Sequence, residues 1–317
     1  MNTNTVWIKV EITTSSELVD AVSNFIDEIG LHGCYQETIV EGDDGDGAYE
    51  LQSINQQVIE KATSKIIAFI PDDMRKDKIV MALDEYFINL QNIFPLLPKT
   101  IFTLQNIANP DWDEAWKKYF KPLRIGKHIV IKPSWERYGA LNNDIVIEID
   151  PGMAFGTGQH ASTSMSLEGI ESIITSEHKR KWRVLDVGTG TGILAIACAK
   201  LGAQSVVAVD IDSNALNIAL ENVRINKVQD TVLFSDKTAS QIGGTFNLIV
   251  ANLTAKTLVN LNHDLLTMLE PDGYLIISGI IESNTCEIER IFFNGSFVCH
   301  QKNISEGWVS YIIHRQK

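Results

Sequence analysis

The sequence predicts an α/β protein whose second half is a mostly parallel sheet covered by helices, preceded by a small α+β domain. Three observations lead there. From Trp182 onward, the apolar runs WRVLDV, SVVAVDI, TVLFS, FNLIVANL and YLIISGI alternate strictly with helical stretches beginning near Thr191, Ser213, Ala255 and Glu282. Strands this apolar are buried on both faces, so helices must cover both sides of a parallel sheet. The chain then closes with two strand-like runs, 297–303 and 308–314, joined only by ISEG. Such a hairpin puts one antiparallel strand into the parallel sheet. Earlier, strand-like runs at 6–12, 35–40, 65–70 and 100–107 enclose helical patterns at 17–29 and 78–90. Two β-α-β units in tandem predict a ferredoxin-like sandwich.

A chain of 317 residues exceeds one compact core. The expected division is a first domain over 1–108, connecting helix and strands over 109–149, and a second domain over 150–317. In the connector, DWDEAWKKYF reads as a helix begun by Asp111, with Trp112, Trp116 and Phe120 on one face. HIVIKPSW and DIVIEID follow as strands. The acidic segment GDDGDG near residue 45 lacks the ligand order of a calcium loop and reads as a solvated turn.

The net charge of −13 repels a phosphate backbone, so direct nucleic-acid binding is not expected; the acidic surface either steers in a basic protein partner or merely keeps the protein soluble. The N-terminal stretch has no signal-peptide pattern, and about 18 uncharged apolar residues never run together, so a cytoplasmic protein without a membrane partner is expected. Cys34, Cys198, Cys286 and Cys299 are scattered without metal-ligand spacing, and no metal is expected.

The chemistry concentrates at strand ends. Asp186-Val-Gly188-Thr-Gly190-Thr-Gly192 joins the first strand of the second half to its helix, where backbone approaches a ligand closely and the helix N-terminus favours negative charge. It is neither the dinucleotide fingerprint, since Ile193 stands where glycine is needed, nor a P-loop. Asp210 ends the next strand about 20 residues on, where a carboxylate can accept hydrogen bonds from ribose hydroxyls. Asp212 and Ser213 are better placed than Asp210 to cap the helix that follows. Asn252 ends the fourth strand at the carboxyl edge, where its amide can orient an amine or cap the following helix. Upstream, DPGMAFGTGQHAST carries Phe155, His160 and Thr163 in a loop able to close over a ligand, with a helix after it. His160 reads as a structural hydrogen-bonder or as the one titrating group near the site.

DPGMAFGTGQHAST, DVGTGTGILAIACAKLGA, VDID and VANL, in this order, closely resemble the PrmA-type ribosomal-protein methyltransferases. The similarity extends through DWDEAWKKYFKPLRIG and KPSW to WIKVEITT, covering nearly the whole chain. It departs from the family where Ala161-Ser162 replaces proline-threonine, Thr189 and Thr191 replace cysteine and serine, and Leu253-Thr254 replaces isoleucine-leucine.

The resemblance implies a Rossmann-like class I methyltransferase domain behind a small domain that recognises the substrate, large-subunit ribosomal protein eleven. It implies S-adenosyl-L-methionine as cofactor, with Thr163, Gly188, Asp210 and Asn252 at cofactor positions. Together with the residues chosen above, the expected cofactor site is Phe155, Thr163, Gly188, Gly190, Asp210 and Asn252, and the expected catalytic residues are Asn252 and His160. The expected reaction is methyl transfer to α-amino and lysine groups of that basic ribosomal protein. A lysine methyltransferase for another protein, or a non-catalytic adenosine-binding module, would share these features.

Overall fold

The computed structural model describes residues 7–15, 18, 21–22, 25–26, 29, 32–39, 63–71, 76–107, 121–150, 158, 160–177 and 179–317. The chain divides into two units, Met1–Tyr119 and Phe120–Lys317. The acidic turn near residue 45, the expected helix over 111–120 and Phe155 lie outside the described residues.

In the first unit, β1 (Trp7–Ser15), β2 (His32–Ile39), β3 (Thr63–Pro71) and β4 (Ile101–Ile107) form an antiparallel sheet in the order β2-β3-β1-β4. Alternation along β1 sends Ile8, Val10 and Ile12 to one face, where they bury against Ile66, Ala68 and Ile70 of β3. Helix α1 (Lys76–Ile93) covers that face with Ile79, Leu83, Phe87 and Leu90, a spacing that lines up one side of a helix. Residues 21–22 and 25–26 are also helical, and Phe25 stacks on Tyr86 at 3.8 Å between centroids. The intervening residues of β1 are polar, and Glu11 pairs with both Lys9 and Lys65, which holds its carboxyl below the usual range.

The second unit holds two sheets. A small one pairs β5 (Leu123–Ile125), β6 (Ile129–Lys132) and β7 (Ile145–Glu148), so the strands expected in the connector belong to this unit. The large sheet contains β8 (Arg183–Val187), β9 (Ser205–Val209), β10 (Val232–Ser235), β11 (Phe246–Asn252), β12 (Leu269–Ile281), β13 (Phe297–Ser305) and β14 (Trp308–Arg315), in the order β10-β9-β8-β11-β12-β14-β13. Strands β8 to β12 pair in parallel, whereas β14 runs antiparallel to both neighbours. The hairpin that delivers β14 turns at Glu306 and Gly307, both with positive φ, as a two-residue connection matched to strand twist requires.

The helices between strands are α2 (Ala161–Ser176), α3 (Ile193–Lys200), α4 (Ser213–Ile225), α5 (Ala239–Ile242), α6 (Ala255–Met268) and α7 (Thr285–Phe292). The sheet separates two apolar cores. Val184 of β8 packs with α2, α3 and the small sheet, while Leu185 and Val187 point the other way toward α6 and α7. Strand β12 starts at Leu269, earlier than the expected Tyr274. The turn-like residues Pro271-Asp272-Gly273 are absorbed within the strand, where pairing with β11 shifts register and Asp272 takes φ 65°.

Two buried asparagines of α4 fasten the approach to the carboxyl edge. Asn222 donates to the Thr191 carbonyl at 2.9 Å and accepts from the Asp150 N–H at 3.0 Å. One turn later Asn226 both donates to the Glu148 carbonyl and accepts from its N–H. Asn222→Ala removes both a bond to a buried carbonyl and a bond from a partly buried N–H, so it should destabilise the protein by roughly 2–4 kcal/mol. Guanidinium unfolding is the check; a loss under about 0.5 kcal/mol, the size of a neutral surface change, would contradict this role.

Candidate active site

The glycine turn after β8 is built to bring backbone forward. Gly188, Gly190 and Gly192 all have positive φ, at 73°, 54° and 82°. A Cβ at Gly188 would stand 2.5 Å from Leu253 Cδ2, a side-chain end that can move, so it is the positive φ that calls for glycine there. The Gly188 and Thr189 N–H groups donate to the Val209 carbonyl at 2.9 and 3.0 Å. The start of the turn is therefore tied to the end of β9.

Asp210 completes that tie. One carboxylate oxygen accepts from the Gly190 N–H at 2.9 Å and the other from the Asp212 N–H at 3.0 Å. A carboxylate offers about four acceptor positions, so two remain for ligand hydroxyls. Asp212 caps α4 by accepting from the Asn214 N–H at 2.9 Å, which leaves Asp210 free of that duty.

Asn252 stands at the carboxyl end of β11 and donates through Nδ2 to Thr163 Oγ1 at 3.2 Å. Gly279, with φ 80°, makes room beside it, since a Cβ there would lie 3.0 Å from Asn252 Oδ1. Thr163 is fully buried in the first turn of α2. The same turn is anchored to β12 by the Ser278 hydroxyl, which donates to the Ser162 carbonyl at 2.9 Å.

His160 is the N-cap of α2. Its Nδ1 accepts from the Ser162 N–H and lies 2.7 Å from the Ser162 hydroxyl. Its ring meets Trp308 of β14 edge-on, with centroids 4.6 Å apart. Burial lowers its pKa to about 4, so it is neutral at pH 7 and a weak base. Gly158, two residues before it, has φ 85° and packs against Ile131 of β6.

Beneath the glycine turn lies Asp186, fully buried between Ala208 of β9 and Val250 of β11. Burial pushes its carboxyl up to about 7, while the Thr189 hydroxyl, 2.6 Å from Oδ2, and the Ala195 backbone N–H pull the other way.

The described residues of the expected site thus lie in one arc: Asp210 is bonded to Gly190, Gly188 lies beside Leu253 and so next to Asn252, Asn252 is bonded to Thr163, and the Thr163 N–H is bonded to the His160 carbonyl. Phe155 alone lies outside the described residues. Trp308, Asn222 and Ser278 were not among the expected residues. For Asn222 a signal exists, because a polar residue interrupts the buried face formed by Ala215, Ala219 and Val223. Among the described residues no group of three or more His, Cys, Asp or Glu could hold a metal.

A parallel sheet with one antiparallel strand, a glycine turn after its first strand and an acid after its second defines a Rossmann-like, S-adenosylmethionine-dependent methyltransferase. The chain belongs to the family described as ribosomal protein L11 methyltransferase (PrmA), whose model matches residues 6–316. A relative named ribosomal protein L11 methyltransferase from Citrifermentans bemidjiense is 35% identical over 308 residues, spanning 96% of this chain and 97% of its own length. Another of that name, from Thermoanaerobacter pseudethanolicus, is 36% identical over 288 residues, spanning 89% and 91%. The crystal structure of a ribosomal protein L11 methylase from Lactobacillus delbrueckii subsp. bulgaricus aligns with a TM-score of 0.57 and 34% identity, covering 62% of this chain and all of that one.

The depressed pKa of His160 has a consequence for stability. Between about 4 and the unfolded value of 6.5, the unfolded chain binds the proton more readily than the folded one. Stability from this group is therefore complete above pH 6.5 and lost as pH falls toward 4, by roughly 2–3 kcal/mol. His160→Asn keeps a competent N-cap and removes the titration. Unfolding curves should show a shallower acid limb in the variant; parallel limbs between pH 6.5 and 4 would contradict the burial of a neutral imidazole.

Proposed function

We propose that this chain methylates amino groups of ribosomal protein L11, with the arc from Asp210 to His160 as its active site. The observation that carries this reading is the Asp210 carboxylate, preset by two backbone N–H groups at the carboxyl edge with acceptor capacity to spare. The residues fit S-adenosyl-L-methionine: Asp210 for ribose hydroxyls, Gly188 and Gly190 for close backbone approach, and the half-buried Asn252 amide at the neighbouring strand end. The cofactor supplies an activated methyl group, so the protein's work is binding and positioning.

Asn252 is the residue we assign to the incoming amine. Thr163 fixes its Nδ2, and Oδ1 could then accept an N–H from the amine and so orient its lone pair for attack. Thr163 then acts through Asn252 as a positioning residue. His160 holds the first turn of α2 in place through its cap on that helix and its contact with Trp308. Its low pKa argues against proton abstraction by this ring, so the amine loses its proton to solvent before attack.

The first unit, which we read as a ferredoxin-like recognition domain, would present the substrate. Its sheet order and the helices between its strands support that reading. The net charge of −13 suits a basic protein and disfavours direct contact with nucleic acid. Among the described residues no helix is long and apolar enough to cross a membrane, and a ribosomal substrate agrees with work in the cytoplasm.

If Asp210 holds the ribose, Asp210→Ala should weaken cofactor binding by roughly 1.5–3 kcal/mol in a folded protein. Titration calorimetry giving parent-like affinity would remove the assignment.

The pH profile tests the route of the proton. With saturating cofactor and sub-saturating acceptor, the rate on an α-amine should rise about tenfold per pH unit below its pKa of about 7.7–8.0 and level above it. An additional inflection that disappears in His160→Ala would make that ring a general base and refute deprotonation by solvent.

A further inference from the structure

Asp186 has a role the methyl-transfer site leaves unexplained. It is fully buried; the Thr189 hydroxyl lies 2.6 Å from Oδ2 and the Ala195 backbone N–H also favours the charged form, but Oδ1 makes no hydrogen bond. A carboxylate in such a place, half of it without a donor, is costly unless a positive charge arrives nearby.

The groups facing it supply none. In-register neighbours on either side are Ala208 and Val250. From α3 comes the Cys198 thiol, itself buried and pushed up, and so uncharged. At the end of β9, Asp210 adds negative charge, which opposes ionisation of Asp186. Thr189 links the two acids sterically: its hydroxyl serves Asp186, and the next N–H in the chain serves Asp210.

We propose that Asp186 is a proton-linked specificity residue, protonated in the cofactor-free protein and ionised when the cationic cofactor binds above it, so that the site favours the sulfonium form over the neutral thioether by-product. This rests on the methyltransferase reading and deepens it. S-adenosylmethionine and S-adenosylhomocysteine differ by one methyl group and one positive charge. In a medium of effective dielectric about 20, a unit charge within several ångströms is enough to ionise an acid that titrates near neutrality. The proton leaves the carboxyl for the buffer as the sulfonium enters. When methyl transfer removes the charge from sulfur, the reason for ionisation goes with it, the carboxylate takes a proton back, and the by-product is held less firmly. Asp186 acts through the field beneath the turn, so it is a positioning and specificity residue.

Calorimetry in buffers of different ionisation enthalpy reads the protons released on binding. The full-length parent should release about half a proton more than Asp186→Asn when S-adenosylmethionine binds near pH 7. Between pH 6 and 8 its affinity should rise by up to about tenfold beyond any rise in the variant, against about threefold or less for S-adenosylhomocysteine. The ligands' own amino groups titrate alike against both proteins, so the comparison of parent with variant cancels them. Should the variant fold poorly, infrared difference spectra of the parent near pH 6 give the same answer: a protonated-carboxyl band should vanish on adding S-adenosylmethionine and persist with S-adenosylhomocysteine. Binding with equal proton release in parent and variant, or equal loss of the band with both ligands, overturns the role of Asp186 alone. Failure of either ligand to bind the parent at any pH overturns the methyltransferase reading, and this inference with it.

Discussion

The constraint on which the site depends is the closure of the glycine turn against the end of β9. Three backbone N–H groups of one turn, at Gly188, Thr189 and Gly190, reach the Val209 carbonyl and the Asp210 carboxylate. Peptide donors near a helix N-terminus would otherwise seek water or an anion. Here several are satisfied internally, which fixes the turn and leaves Asp210 held at two points with its remaining lone pairs outward. Such preorganisation costs nothing at the moment of binding, because the ordering has been done by folding.

Everything else braces that closure. Parallel pairing of β8 with β9 and β11 sets the strand ends side by side, so residues 20 and more apart in sequence share one edge. Asn222 ties the turn's Thr191 carbonyl to the Asp150 N–H, just beyond β7. Ser278 and Asn252 secure the first turn of α2 from the other side. The antiparallel β14 then delivers Trp308 to the ring of His160. The braces from Asn222, Ser278 and Asn252 are hydrogen bonds of 2.9–3.2 Å, and the one from Trp308 is a ring contact.

Much of this was legible in the sequence because its physical signals are local. The apolar runs from Trp182 onward gave their strands within a few residues, since burial on both faces leaves little freedom for polar substitution. Gly188, Gly190 and Asp210 were readable because positive φ and close approach admit few residue types. The expected capping role of Asp212 is also found. What escaped depends on pairing between distant segments. The strand expected from Tyr274 begins at Leu269, because a partner strand accommodates the irregularity at Pro271-Asp272-Gly273. Strand β5 is three residues long, too short to show periodicity, and α5 is four residues whose Thr238 and Gln241 form a capping box visible only in hindsight. Trp308 carried no signal, since its meaning lies in the ring it meets across the fold. The low pKa of His160 and the high one of Asp186 follow from burial that a sequence pattern does not specify.

The central claim is that Asp210, held by Gly190 and Asp212, receives the ribose of the methyl donor. A crystal structure of the full chain with S-adenosylhomocysteine addresses it most directly. The account predicts both ribose hydroxyls within hydrogen-bond distance of Asp210, with the Gly190 and Asp212 N–H bonds to that carboxylate retained. Ribose held by another residue, or an Asp210 carboxylate turned away from the turn, would contradict it.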